Sequence, residues 1–215
     1  MLITFEGIDG SGKSTQAQKL WERLQQEGAD PLLVREPGGT DLSERVRNLL
    51  LDRTLHIEPF VELLLFSAAR TQLVIDVIRP ALGEGRIVIC DRFYDSTVAY
   101  QGGGRQLGDL PWLHDFNRRV TDGLVPDRTY LLDVEPATAL ARRTHRHADA
   151  ATRDDRMEAA GIAFQQRVAA AYQILAHDEP ARFLHLDGAR SPEALHAQIW
   201  DDFQRLRARP PEPGV

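Results

Sequence analysis

The chain of 215 residues has a single cysteine, no long apolar run and no excess of positive charge. Cys90 cannot form an internal disulfide, and its place in the apolar run 87–90 favours a small core residue. No segment approaches the ~20 apolar residues that a membrane helix needs. The net charge of −6 argues against a protein that mainly holds DNA or RNA, because such proteins usually carry a basic face. The amino terminus lacks the basic region of a signal peptide, which predicts a cytoplasmic protein.

Apolar runs alternate with segments of helical period along the whole chain. This pattern predicts an α/β fold in which five strands form a parallel sheet flanked by helices. The predicted strands cover residues 2–5, 32–34, 87–90, 129–134 and 183–186. The longest helical pattern covers residues 59–82 and ends before two glycines. We expect one domain over residues 1–209, followed by a Pro-rich disordered tail at 210–215.

A phosphate-binding motif follows the first predicted strand. Residues 7–14, GIDGSGKS, match G-x-x-x-x-G-K-[ST] and lie directly between a strand and a helix. The glycines let successive backbone N–H groups face one anion, and the helix dipole adds to the same point. Lys13 is placed to contact the β- and γ-phosphates, and the Ser14 hydroxyl to coordinate Mg²⁺. The motif predicts a P-loop fold that binds ATP or GTP through residues Gly7, Ile8, Asp9, Gly10, Ser11, Gly12, Lys13, Ser14 and Thr15.

An acid and an arginine follow the third predicted strand. Asp91 comes after four apolar residues and is a candidate to hold Mg²⁺ or its water shell. An acid at a strand end is common, so a structural role is equally open. Arg92 is placed to grip a phosphate with two N–H groups, and a surface ion pair with Asp91 is its alternative role.

Several motifs together resemble those of the thymidylate kinase family, and they occur in the family's order. They are the P-loop lead-in, residues 35–40 (REPGGT), 66–70 (FSAAR), 91–93 (DRF), 96–104 (STVAYQGGG), 126–127 (PD) and 132–134 (LDV). The resemblance covers roughly residues 2–206. It implies ATP-dependent phosphorylation of dTMP to dTDP with Mg²⁺, which supplies dTTP for DNA synthesis. It also implies a homodimer formed through helices such as that at 59–82.

The resemblance assigns substrate-binding roles to individual positions. Phe66 and Arg70 share one helix face, where a ring stacks on thymine and a guanidinium donates to the base oxygen; core packing is the alternative for Phe66. Asp9 is similar to the acid that contacts the acceptor sugar or its phosphate, and Arg92 to the arginine that binds that phosphate. The other substrate positions are Arg35, Ser96, Thr97, Tyr100 and Gln101. Arg35 and Arg47 are also candidates to neutralise phosphate, and a solvent-facing helical charge is an equally open role for Arg47.

Tyr100 is similar to the tyrosine that the family places against the 2′ carbon of the sugar. A half-buried tyrosine that holds the glycine-rich turn is the alternative role, because an aromatic body with a polar tip serves both.

The P-loop departs from one branch of the family at Gly10. Some members have an arginine there and lack arginines in a mobile lid, whereas this chain has an arginine-rich lid candidate at residues 142–156. Lid arginines neutralise charge on the transferred phosphoryl group once the lid closes. Arg153 and Arg156 are the candidates for this catalytic role, beside Lys13, Asp9 and Arg92.

Two other functions remain open from the sequence. A P-loop kinase for another small acceptor has the same phosphate loop, and a coupled ATP assay across nucleoside monophosphates distinguishes it. A nucleotide-responsive switch is the third reading. The absence of an Asn-Lys-x-Asp motif and the presence of Arg92 argue against it.

Overall fold

The computed structural model describes residues 1–150, 156–157 and 160–208. In this part of the chain, five strands form one parallel sheet with the order β2-β3-β1-β4-β5. The strands are β1 (Leu2–Glu6), β2 (Leu32–Arg35), β3 (Val88–Asp91), β4 (Arg128–Asp133) and β5 (Phe183–Asp187). The predicted α/β fold is confirmed, and every predicted strand overlaps an observed one.

Helices cover both faces of the sheet. They are α1 (Lys13–Gln26), α2 (Asp41–Leu51), α3 (Pro59–Leu73), α4 (Arg79–Gly83), α5 (Tyr94–Thr97), α6 (Leu110–Val120), α7 (Pro136–Ala150), α8 (Ile162–Asp178) and α9 (Pro192–Arg207). Alternate residues of a strand point to opposite faces. On β4, Tyr130 and Leu132 accordingly pack with α1 and α9, whereas Leu131 packs with α8. The sheet is therefore buried on both sides, as parallel sheets require.

The helical stretch predicted at 59–82 is not one regular α-helix. A π-helical turn, Val74–Ile78, separates α3 from α4. The Arg79 N–H donates to the carbonyl of Val74, five residues earlier. Pro80 follows directly, and a proline removes one N–H donor and clashes with the carbonyl four residues before it. The wider turn accommodates that proline without ending the helical stretch.

The order of the strands brings three sequence motifs, the P-loop and residues 35–40 and 91–93, to the carboxyl ends of neighbouring strands. Phe5 on β1 and Arg35 on β2 are both in register with Asp91 on β3. The loops that follow these three strands therefore leave the sheet side by side. Ligands of open α/β sheets bind at such carboxyl ends.

The predicted domain limits stay predictions. The tail 210–215 lies outside the described residues, as do Arg153 and the rest of 151–155, whereas 142–150 belong to α7. Within the described residues, no helix combines the length and apolar character needed to cross a membrane.

Candidate active site

The loop between β1 and α1 is held in shape by three glycines with positive φ. Gly7, Gly10 and Gly12 have φ angles of 141°, 91° and 97°. A Cβ on Gly7 would lie 2.5 Å from the carbonyl oxygen of Leu132, and one on Gly10 would lie 2.4 Å from that of Ala139. Side chains are excluded at these points because the loop passes directly against β4 and α7. Gly12 caps α1 without a side chain, so the first N–H groups of the helix stay available to an anion.

Lys13 and Ser14 open α1 beside Asp91. The Lys13 ammonium lies 3.2 Å from the Ile8 carbonyl oxygen and 3.7 Å from Asp9. Burial, together with the nearby Arg92, lowers the pKa of Lys13. The Ser14 hydroxyl donates to Asp91 Oδ2 at 2.5 Å, and Asp91 Oδ1 is buried with no protein partner in the described part of the chain. Ser14, from the start of α1, and Asp91, from the end of β3, thus bring together two side chains with oxygen atoms of the kind that could hold Mg²⁺.

Arg92 lies at the centre of the site. It adopts a φ of 74°, a left-handed conformation that is costly for a side chain larger than glycine. Its guanidinium donates to the Gly7 carbonyl at 3.1 Å and to Asp9 at 2.5 Å. It also donates to the Tyr100 hydroxyl at 3.0 Å and lies 4.8 Å from the centre of that ring. Arg92 therefore faces the P-loop and is not a surface ion pair of Asp91.

Asp9 is ionised in this arrangement. Burial by itself would raise the pKa of its carboxyl, but Arg92 and Lys13 outweigh burial and hold the pKa well below its usual range. The Tyr100 hydroxyl also donates to Asp9, at 2.9 Å. A carboxylate that stays charged here can accept hydrogen bonds from a ligand hydroxyl and cannot act as a general acid.

A second buried carboxylate, Glu6, supports this group from behind and was not predicted. Glu6 accepts from the Phe93 N–H at 2.7 Å, the Ser96 hydroxyl at 2.6 Å and the Tyr172 hydroxyl at 2.7 Å. Burial and then the charge of Asp95 raise the pKa of Glu6. Its contacts fix the start of α5, which carries Ser96 into the site. An acid that ends an otherwise apolar strand was the available signal for it.

A second pocket lies beside Arg92, along α3. Phe66 and Arg70 line it one helical turn apart, as predicted. Arg70 is only 2% exposed, and it donates to Glu36 at 2.6 Å, to the Thr97 hydroxyl at 2.7 Å and to the Phe93 carbonyl at 3.2 Å. These bonds use three of its five N–H groups. The pocket is lined by Asp9, Glu36, Pro37, Arg47, Leu51, Phe66, Arg70, Arg92, Ser96, Thr97, Tyr100, Gln101 and Met157.

Glu36 is an unpredicted member of this pocket. Burial raises the pKa of its carboxyl to about 7, against the opposing charge of Arg70. One oxygen takes the Arg70 hydrogen bond, and the other, Oε1, is buried with no partner among the described residues. The motif at residues 35–40 does not predict that the Glu36 carboxylate turns inward, because Glu36 lies between Arg35 and Pro37.

A larger cavity of about 700 Å³ extends from the P-loop to the middle of α7 and the start of α9. Besides the loop it is lined by Arg35, Arg47, Arg142, Gly188, Arg190, Pro192 and Leu195. Arg142 donates to the Gly188 carbonyl at 3.0 Å and so links α7 to the loop after β5. The residues after β5 were not predicted as site residues, because they carry no motif of their own.

Two of the predicted arginines, Arg35 and Arg156, form ion pairs outside the group of Lys13, Asp9 and Arg92. Arg35 pairs with Glu44 at 3.2 Å and lines the larger cavity with its side chain about half exposed. Arg156 is turned away from the P-loop, and its guanidinium contacts the buried Glu62 at 2.6 Å. Arg153 lies outside the described residues. Of the predicted catalytic groups, the structure brings together Lys13, Asp9 and Arg92.

Comparison with known proteins gives one consistent result. A protein-family model described as thymidylate kinase matches residues 5–199. The thymidylate kinase of Chlorobium chlorochromatii is 50% identical, with 93% of this chain and 92% of that protein covered. That of Deinococcus radiodurans is 48% identical, with 93% and 94% covered. The crystal structure of thymidylate kinase from Ehrlichia chaffeensis superimposes with a TM-score of 0.76 at 36% identity, covering 95% of this chain and 98% of that one.

Proposed function

The chain belongs to the thymidylate kinase family, and we propose that it transfers the phosphoryl group where the P-loop meets the pocket along α3. The enzyme phosphorylates dTMP to dTDP with ATP as donor and so supplies dTTP for DNA synthesis. The observation that carries the proposed geometry is the position of Arg92. Its guanidinium borders both the cavity of the P-loop and the pocket of Phe66 and Arg70.

The pocket along α3 binds the acceptor dTMP. The Phe66 ring stacks on thymine, and the two remaining N–H groups of Arg70 are suited to the exocyclic oxygen of the base. Arg92 binds the acceptor phosphate, while Asp9 accepts from the sugar. The Tyr100 hydroxyl is hydrogen-bonded to both Arg92 and Asp9. Ser96, Thr97 and Gln101 complete the pocket.

The donor ATP occupies the larger cavity, with its phosphates on residues 7–15. In-line transfer between phosphate oxygens needs positioning and charge neutralisation more than it needs a base. Lys13 and Arg92 supply positive charge on opposite sides of the transferred group. The P-loop N–H groups bind the phosphates that leave with ADP. Arg153 is proposed to add positive charge from the segment after α7.

Ser14 and Asp91 are proposed to hold Mg²⁺. The fit rests on their oxygens and on the unpartnered Asp91 Oδ1. Among the described residues, no group of three or more His, Cys, Asp and Glu side chains could hold a metal ion. A site with only the Ser14 hydroxyl and the Asp91 carboxylate suits Mg²⁺, because this ion keeps several waters and takes its remaining ligands from substrate phosphates. When bound, the ion neutralises phosphate charge.

We further propose a cytoplasmic homodimer formed through α2 and α3. Leu42, Leu49, Phe60, Val61 and Leu64 are each between 45% and 49% exposed on these two helices. Contiguous apolar residues on a surface mark an interaction site. The inner face of α3 carries Phe66 and Arg70, so this interface would support the acceptor pocket from outside.

A coupled ATP assay across nucleoside monophosphates, with Arg70→Ala as the test variant, examines the proposed pocket. We expect dTMP to be the preferred acceptor of the parent enzyme. Loss of a hydrogen bond from a charged group costs about 1.5–3 kcal/mol, so Arg70→Ala should raise the KM for dTMP roughly 10- to 100-fold. The KM for ATP should stay near the parent value. An equal rise for both substrates would show that α3 is structural and that the acceptor binds elsewhere.

A further inference from the structure

A fully buried carboxylate, Glu62, joins three segments of the chain near the acceptor pocket. It accepts from Gln101 at 2.8 Å, from Arg105 at 3.0 and 3.1 Å, and from Arg156 at 2.6 Å. Glu62 lies in the first turn of α3, where a negative charge is favoured by the helix dipole. It precedes Phe66 by one turn, so both side chains extend from the same face of the helix.

Arg156 is bound at more than one point. Its Nε donates to the Leu50 carbonyl at 2.9 Å, and its backbone N–H donates to the Leu51 carbonyl at 3.4 Å. Together with the contact to Glu62, these bonds connect Arg156 to the start of α3 and the end of α2. A planar guanidinium suits such a site because its N–H groups point in fixed directions, whereas an ammonium is a single point charge.

The residues next to these anchors form part of the acceptor pocket. Met157 follows Arg156 directly, is only 6% exposed and lines the pocket. Leu51, whose carbonyl accepts from Arg156, and Gln101, which donates to Glu62, line it as well. Three wall residues from three segments therefore depend on one buried ion pair.

We propose that Glu62 and Arg156 form a clamp that fixes Met157 and Leu51 in the wall of the acceptor pocket. Glu62 and Arg156 are positioning residues that set the affinity for a deoxynucleoside monophosphate. Arg156 is not the arginine that stabilises the transferred phosphoryl group. The inference rests on the proposed acceptor pocket. The two roles of Arg156 predict different kinetics, because an interaction made only in the transition state affects kcat, whereas uniform binding affects KM.

Arg156→Met separates these roles in steady-state kinetics with both substrates varied. Full burial of one methionine side chain is worth about 1.5–3 kcal/mol, so a displaced Met157 should raise the KM for dTMP roughly 10- to 100-fold. The KM for ATP should remain unchanged, and kcat at saturating dTMP should stay within about twofold. A large fall in kcat with an unchanged KM for dTMP would overturn the proposal and assign Arg156 to the transition state.

Arg128→Met is the matched control for the loss of a buried ion pair. Arg128 and Asp202 lie 3.0 Å apart, with side chains 8% and 12% exposed, and neither residue lines the acceptor pocket. Thermal melts identify a temperature at which both variants are folded. At that temperature, Arg128→Met should keep the parent KM for dTMP. If it raises that KM as much as Arg156→Met does, the effect is a general loss of packing and the clamp is refuted.

Glu62→Gln and the double variant test whether the two residues act as a unit. Once the amide has replaced the carboxylate, Arg156→Met should add little to the KM for dTMP, because residues of one ion pair are strongly non-additive. Additive effects would contradict the clamp. Phe66→Ala checks the pocket itself. If that variant keeps the parent KM for dTMP, the pocket assignment fails, whereas an increase for Phe66→Ala without one for Arg156→Met rejects the clamp alone.

Discussion

The buried carboxyl of Glu36 should make the stability of the enzyme depend on pH near neutrality. Burial against Arg70 raises its pKa from an ordinary value of 4.5 to about 7. The folded state therefore binds this proton more tightly than the unfolded state does. The contribution of Glu36 to the free energy of unfolding is therefore greatest below pH 4.5, falls as the pH rises toward 7, and is lost above about pH 7.

The size of the effect follows from the two pKa values. A tenfold change in proton affinity is worth about 1.4 kcal/mol, so the full loss amounts to about 3 kcal/mol. About 2.5 kcal/mol of it falls between pH 5 and pH 8. Glu36→Gln has the shape of the protonated side chain and does not titrate. The unfolding free energy of the parent minus that of Glu36→Gln should therefore fall by this amount over the same range.

Urea unfolding followed by tryptophan fluorescence at pH 5, 6, 7 and 8 measures this difference. Glu44→Gln is the control, because the Gly39 N–H and Arg35 lower the pKa of that exposed carboxyl. Its titration lies below this range, so its difference curve should be flat. Parallel curves for the parent and Glu36→Gln would refute the reasoning. So would a Glu36→Gln variant that becomes less stable relative to the parent as the pH rises, since that would mean that the ion pair with Arg70 outweighs burial.

Three further outcomes follow from the site. Lys13→Ala should keep the parent melting temperature and lower kcat by about 10²- to 10³-fold; near-parent turnover would remove Lys13 from the mechanism. Tyr100→Ala should raise kcat/KM for the 2′-hydroxy acceptor relative to dTMP, whereas Tyr100→Phe should keep the sugar preference because the ring does the blocking; unchanged preference in both variants would make Tyr100 scaffolding. Leu64→Glu should convert the proposed dimer to a monomer in sedimentation velocity, because a charge would be buried in an apolar interface; an intact dimer would place the interface elsewhere.

Local patterns predicted the fold and the P-loop well. The strands are short apolar runs, and the phosphate loop is a contiguous motif whose glycines the structure places against β4 and α7. Two π-helical turns in the described part of the chain, Val74–Ile78 and Val98–Gly104, were not predicted. Residues 74–78 are compatible with an ordinary helix, and the glycines at 102–104 indicate a turn without specifying its type. Patterns within one segment define that segment but not its departures from regular geometry.

Three buried glutamates, Glu6, Glu36 and Glu62, had no role predicted from the sequence. Glu6 and Glu62 occur beside apolar residues, whereas Glu36 lies between Arg35 and Pro37. Their partners are distant in sequence: Arg70 lies 34 residues from Glu36, and Tyr172 lies 166 residues from Glu6. An acid among apolar residues signals burial, because a charged group rarely leaves water without a partner. The identity of the partner depends on the tertiary fold.

The choice of residue at position 10 and the position of α7 are linked by direct contact. A Cβ on Gly10 would lie 2.4 Å from the Ala139 carbonyl oxygen and 3.2 Å from Cγ of Arg143. A backbone oxygen at that distance cannot move aside alone, and the φ of 91° is unfavourable for any side chain. An arginine in this loop therefore requires α7 to lie farther from the phosphates. With glycine at position 10, α7 packs on the loop, and the arginine-rich segment that begins on this helix starts beside the site. The absence of a side chain at position 10 therefore lets α7 pack on the loop, where Arg142 lines the cavity of the P-loop.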